Sequence, residues 1–186
     1  MTRATKITLI LFLFGSILCS CQNKDIEKAK KAIRANPDNA EAHYNLGVAY
    51  KKSGQTSEAI KASKEAIRLK PDYAEAYRQL GEIYGALSQE REAIEAFKQA
   101  VRYKPDDVDT YRQMGFLYLK FKKLKEAIGS FKEVVRLRPE DAKIHFELGQ
   151  AYVKSDNPGA ALEEYKILKT LDPKLANKLF DEIYVK

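Results

Sequence analysis

Few side chains in this 186-residue sequence could do chemistry unaided: two cysteines, Cys19 and Cys21, and two histidines, His43 and His145. A metal site needs such ligands gathered in a cluster at ligand spacing, and no cluster is evident. Both cysteines close an apolar N-terminal run, which excludes a disulfide framework or a thiol-based metal site in the domain that follows. There is no Gly-rich phosphate loop and no nucleophile elbow. The carboxylates are accounted for as helix caps or as surface pairs three residues apart, such as Glu65 with Arg68, Glu95 with Lys98 and Glu133 with Arg136. The sequence therefore reads as a non-enzyme, with no catalytic residues, no cofactor, no metal and no small-molecule substrate.

Charge narrows the partners. The formal net charge is +7, but Arg3 and Lys6 lie in the N-terminal leader, and the remainder carries 31 basic against 26 acidic side chains. That excess is spread over many helices, whereas a nucleic-acid binder gathers its cations into a patch or stripe along the phosphate backbone. Nucleic acid is not an expected partner.

The elements that must position any site are set out by a ladder of prolines. Pro37, Pro71, Pro105, Pro139 and Pro173 follow one another at 34-residue intervals, and the same interval recurs in Gly47, Gly81, Gly115 and Gly149, in Tyr50, Tyr84, Tyr118 and Tyr152, and in Ala59, Ala93, Ala127 and Ala161. A period in the range of roughly 20 to 50 residues marks a solenoid, whose units bury their apolar faces only by stacking. Each interval holds two amphipathic stripes. In the second these are Tyr77, Leu80, Tyr84 and Leu87, then Ala93, Ile94, Phe97, Ala100 and Val101, joined by the polar Ser88 to Glu90. Pro105 ends a helix, and Asp106 with Asp107 offers a cap to the next. Asp38 with Glu41 and Asp72 with Glu75 have capping-box spacing, and Asn157 followed by Pro158 pairs a cap with the one helical position that tolerates proline. His43 and His145 fall in one phase, where the other repeats carry Tyr77 and Tyr111, and are read as packing residues.

These units resemble tetratricopeptide repeats. The signature residues are Leu46, Gly47, Tyr50, Ala59, Ala66 and Pro71 in residues 40–73. Residues 74–107 supply Tyr77, Leu80, Gly81, Tyr84, Ala93, Phe97, Ala100 and Pro105. Residues 108–141 supply Tyr111, Met114, Gly115, Tyr118, Ala127, Phe131 and Pro139, and residues 142–175 supply Leu148, Gly149, Tyr152, Ala161, Tyr165 and Pro173. The resemblance implies an all-α fold, a right-handed α-solenoid of four helix-turn-helix repeats with N- and C-terminal capping helices. The departures are Ser63 for an aromatic, Val134 and Leu168 for alanine, and the two histidines for aromatics. The first cap is expected within residues 21–39, with Ile26, Ala29, Ala32 and Ile33 on its apolar stripe. The last is expected at 176–186, covering the final repeat and polar on its outer side.

Residues 1–20 have the plan of a secretory signal: a basic start, the apolar run from Ile7 to Leu18, then small residues. The run is short against the ~20 residues that a transmembrane helix needs. Leu18, Cys19, Ser20 and Cys21 resemble the bacterial lipobox, which implies that Cys21 becomes the acylated first residue of a mature lipoprotein; Cys19 is the alternative target. Several acyl chains, at roughly 0.8 kcal/mol per buried methylene, would hold the protein on a membrane. Gln22 after the cysteine implies a place in the cell envelope, at the outer rather than the inner membrane.

In the tetratricopeptide family the first helix of each repeat lines a groove that grips an extended peptide or a partner's helix. By that resemblance the exposed groove residues here are Tyr44 and Asn45, then Arg78 and Gln79, then Arg112, Gln113 and Phe116, then Phe146 and Gln150. Arg78, Arg112, Phe116 and Phe146 are the expected anchors, because arginine and aromatic side chains dominate interface energetics. Asn45, Gln79 and Gln113 recur once per repeat and could bond a peptide backbone. The family's carboxylate clamp is not expected, since Tyr44, Val48 and Asp109 stand where some of its residues belong. The expected partners are envelope proteins or peptides, with the membrane reached through the lipid. The alternative is a structural or surface lipoprotein that self-associates or coats the membrane.

Overall fold

A computed structural model describes residues 23–184, and the leader with Cys19 and Cys21 lies outside the described residues. Within them the chain is helical throughout. Helix α1 covers residues 23–35 and is followed by α2 (Ala40–Lys52), α3 (Thr56–Leu69), α4 (Ala74–Ala86), α5 (Glu90–Tyr103), α6 (Val108–Lys120), α7 (Leu124–Leu137), α8 (Ala142–Lys154), α9 (Pro158–Leu171) and α10 (Pro173–Tyr184). The helices alternate in length across the repeats, 13 residues for the first of each pair and 14 for the second. This is the all-α architecture of paired-helix repeats that the resemblance implies.

The chain divides into two compact units, residues up to Leu87 and from Ser88 onward. In the first unit α2 and α3 pack as an antiparallel hairpin and α4 lies against α3. Its core is built from small side chains: Ala59, Ala66 and Ala76 are wholly buried, with Ala42, Ala49, Leu80 and Ile83 around them. In the second unit the hairpins α6/α7 and α8/α9 stack through α7 and α8, and α10 closes over both α8 and α9. Here the core is bulkier, with Phe131, Ile144, Leu148, Leu168 and Leu179 fully buried. A methyl group at Gly115 would collide with the Phe131 ring, which is why two helices can approach closely there.

The turn inside each hairpin follows one design. Gly54, Ser88, Lys122 and Asp156, again 34 residues apart, all adopt left-handed backbone with φ of 75°, 59°, 58° and 55°. In three of the turns the following amide closes back onto the carbonyl of the ladder tyrosine: Gln55 to Tyr50 at 2.9 Å, Lys123 to Tyr118 at 2.8 Å and Asn157 to Tyr152 at 2.9 Å. That is the six-to-one bond of a Schellman motif, which satisfies a carbonyl that the helix end leaves open. Only one of the four positions is glycine.

Several expected caps are placed differently. The cap of α2 is Asn39, whose Oδ1 accepts from the Ala42 amide at 3.0 Å, and not Asp38, whose own amide turns back to the Asn36 side chain. The cap position of α4 is Tyr73, without a side-chain cap bond, so the cap falls one residue after Asp72, as it falls one residue after Asp38 at α2. Asp107 does precede α6, but its carboxylate takes the buried Thr110 hydroxyl at 2.6 Å. Asn157 with Pro158 behaves as expected, Asn157 accepting from the Ala160 amide at 3.1 Å.

The fifth proline has another role. Pro37, Pro71, Pro105 and Pro139 sit in turns after second helices, whereas Pro173 is the first residue of α10. Asp172 accepts from the amides of Lys174 and Leu175, so α10 starts at the proline itself. Nor is its outer side polar as a cap requires: Phe180 is 41% and Tyr184 58% exposed.

Candidate functional site

The first helices of the repeats carry the expected groove residues, and each unit arranges them in its own way. In the first unit α2 places Tyr44 half-buried and Asn45 exposed. The Tyr44 ring meets Tyr73 at 5.2 Å between centroids, and burial pushes both phenols up, Tyr73 to about 12 with help from the carboxylate of Glu41. The Arg78 guanidinium near Tyr44 partly opposes the shift there. Across α2 and α4, Glu82 receives Lys51 from one side and the Arg78 NH1 group from the other, the latter at 2.9 Å. Arg78 was expected as a groove anchor, and here it is engaged with a carboxylate on its own helix.

Gln79, expected on the exposed wall, is 3% exposed, and neither Nε2 nor Oε1 has a hydrogen-bond partner. The cause lies at Ser63. A methyl built on Gly47 would stand 2.9 Å from the Ser63 hydroxyl and 3.0 Å from Gln79 Nε2, so both side chains reach the space above that glycine. In the third repeat the equivalent space over Gly115 holds the Phe131 ring. With serine in place of the aromatic, room is left and the Gln79 amide fills it. Ser63 itself is satisfied by the Ala59 carbonyl at 2.8 Å.

In the second unit the groove side is stitched from helix to helix. Arg112 on α6 grips Glu147 on α8, its Nε 3.0 Å from one carboxylate oxygen and 3.2 Å from the other, while NH2 also reaches Oε1. This two-pronged contact holds the Arg112 charge more firmly than usual, the hydrogen bonds to Glu147 outweighing the cost of its partial burial. Gln150 on α8 donates to Glu182 on α10 at 2.7 Å. Gln113 is half-buried, so Asn45, Gln79 and Gln113 occupy three different environments and do not form a uniform ladder of amides.

Phe116 lies one turn from Arg112 on α6, on the same face. It is 45% exposed, its ring set edge-to-face with Phe131 at 5.4 Å between centroids. Phe146, by contrast, is half-buried and packs against the cluster of Leu168, Ala176 and Leu179. Of the four expected anchors, Phe116 alone offers a large uncovered apolar surface; the two arginines already hold carboxylates.

The histidines do more than fill space. His43 Nε2 lies 2.9 Å from the Pro37 carbonyl and His145 Nε2 lies 2.8 Å from the Pro139 carbonyl, the same bond in two repeats. A carbonyl only accepts, so Nε2 carries the proton in each. His145 is buried, and its Nδ1 faces the Glu164 carboxylate at 2.7 Å. The sequence signal was a histidine six residues after a ladder proline. Among the described residues no group of three or more histidine, cysteine, aspartate or glutamate side chains could hold a metal ion, and no helix is long and apolar enough to cross a membrane.

Comparison with known proteins agrees with this geometry. A family model described as TPR repeat matches residues 49–88 and 122–156, and two tetratricopeptide-repeat models match residues 28–61 and 74–107. No curated protein sequence matches the chain. Among solved structures, a crystal structure of MamA is similar with 26% identity and a TM-score of 0.72, over 82% of this chain and 89% of that one. MamA from residue 41 to its end, from Desulfovibrio magneticus RS-1, is 23% identical with a TM-score of 0.72, covering 87% and 94%. YrrB, described as a TPR protein with an unusual peptide-binding site, is 23% identical with a TM-score of 0.69, covering 90% and 89%.

Proposed function

Because the chain is a tetratricopeptide-repeat protein, with family matches over more than half its length, we propose that it is a lipid-anchored interaction scaffold of a bacterial envelope, gripping an extended peptide or a partner's helix with its first helices. The observation that carries the reading is Phe116, 45% exposed beside the Arg112–Glu147 clamp. A large aromatic held edge-to-face with a buried ring has little freedom left to lose on binding, and a neighbouring charged pair can orient a polar partner group. The peptide-binding site named for YrrB lends support from a solenoid of the same fold.

The anchor rests on the lipobox resemblance at Cys21, and the envelope on the leader that precedes it. A single helix follows within a few residues of that cysteine, which would hold the repeats close to the bilayer surface. Metabolic labelling with a fatty acid tests this part, since Cys21→Ser abolishes the label if Cys21 is the site. Label retained in that variant would move the site to Cys19 or remove the anchor from the account.

For the groove, the test is capture from envelope extracts. Phe116→Ala keeps the helix content and cooperative unfolding of the wild type, with a slightly lower midpoint from the lost Phe131 contact, while losing the proteins that the wild type retains. Equal capture by both would remove Phe116 from the binding surface.

A further inference from the structure

Among the described residues, the first and last helices each leave an apolar feature open, and the features are complementary. Between α1 and α2 lies a cleft of about 300 Å³ whose floor is made by Ala29, Ala32, Ala42 and Ala49, with Lys28 and Lys52 at its rim. On α10, Phe180 and Tyr184 stand one turn apart with their rings tilted at 46° and 4.6 Å between centroids; Phe180 also rests on Tyr165 of α9, and both keep exposed ring surface. We propose that α10 of one copy docks in the α1/α2 cleft of a second copy, with Phe180 and Tyr184 entering it.

Repeat logic argues for this occupant. In phase, α1 is the second helix of a hairpin, and among the described residues no first helix covers it. Helix α10 sits on α8 and α9 as a first helix sits on the hairpin before it, and among the described residues no second helix follows. A first-type helix from one copy laid against a second-type helix of another completes the unit that neither copy completes within the described residues, and repeats bury their apolar faces only through such neighbours.

Size matching argues the same way. Inside the chain, a large side chain repeatedly lies over a small residue of the facing helix: Phe131 over Gly115, and Leu179 of α10 over Gly149. The alanine floor of the cleft and the aromatic pair on α10 repeat that large-on-small pairing between copies. Charge is matched too. Asp181, exposed beside Phe180, suits Lys28, and the exposed Lys178 suits Asp25 at the same rim. The patch differs from its partner surface, so the contact is heterologous and can repeat from copy to copy.

The proposal does not rest on the groove reading. Sedimentation of the full chain in density-matched detergent tests it, with two variants at exposed positions: Ala32→Arg, which fills the cleft, and Tyr184→Asp, which spoils the aromatic pair. The wild type should gain mass as its concentration rises, and each variant alone should stay a monomer. A mixture of the two variants retains one cleft and one intact α10, so it should form two-copy species and nothing larger. Phe116→Ala should associate like the wild type, which separates failure here from failure of the groove. A wild type that stays monomeric at every concentration, or association that survives either single change, would overturn the proposal.

Discussion

Arg112 on α6 and Glu147 on α8 are 35 residues apart in sequence and bound through both carboxylate oxygens, the Arg112 Nε lying 3.0 Å and 3.2 Å from them. The pair ties two groove-lining helices and is only partly buried, so it stands between a surface ion pair and a desolvated one. A double-mutant cycle with Arg112→Met and Glu147→Gln should give a coupling of about 1 kcal/mol in urea unfolding, weaker in high salt. No coupling would mean that the pair does not join the helices in solution.

Gln79→Met should stabilise the protein. The Gln79 amide is buried with both polar atoms unpartnered, and leaving such a group unsatisfied costs about 1–3 kcal/mol. Methionine has nearly the same volume and no such cost, so the midpoint of thermal unfolding should rise, by an amount equivalent to about 1 kcal/mol. A lower midpoint would show that the amide finds a partner above Gly47.

Lys122 holds left-handed backbone, where a side chain with a Cβ is strained and glycine is not. Lys122→Gly should therefore add about 0.5–1 kcal/mol, while Gly54→Ala at the equivalent turn should cost at least as much. Chemical denaturation of the two variants measures both signs, and the same sign for both would contradict the turn geometry.

Alkaline pH should destabilise the first unit through Tyr73. Burial raises its pKa from 10.0 to about 12, so the folded state holds the phenolic proton more tightly than the unfolded chain does. That contribution is complete below pH 10, the unfolded value, and is lost as pH rises toward 12. Tyr73→Phe cannot ionise, and its stability should fall less steeply across that window. Thermal midpoints of both proteins, read with the phenolate absorbance, decide it.

How much of this was legible in the sequence depended on the range of the interaction. Ala59, Ala93, Ala127 and Ala161 share one phase and all prove wholly buried, because a position that must admit a neighbouring helix selects a small residue in every repeat. The left-handed turns share a phase just as strictly, but Ser88, Lys122 and Asp156 hide them: residue type does not report φ, and at Lys122 and Asp156 a Schellman bond enforces it. The burial of Gln79 could not be read locally, since it follows from a missing aromatic at Ser63, on the helix before. Likewise Arg112 looks like an uncommitted anchor until the fold brings Glu147 beside it. Pro173 keeps the interval of the ladder yet opens a helix, because Asp172 caps at once and no turn follows. In each of these cases the repeat pattern locates the position, and the neighbouring side chain decides what happens there.

The most direct measurement of the groove assignment compares the affinity of a captured envelope partner for two variants, each losing an exposed apolar side chain. Phe116→Ala removes a ring from the face of a first helix, and Ile167→Ala removes a side chain of similar exposure, 39% against 45%, from a second helix. If the partner lies along the first helices, Phe116→Ala weakens binding by roughly 30-fold, the scale of a hot-spot loss of about 2 kcal/mol, and Ile167→Ala leaves it within experimental error. Equal affinities for the two variants, or a loss confined to Ile167→Ala, would contradict the account.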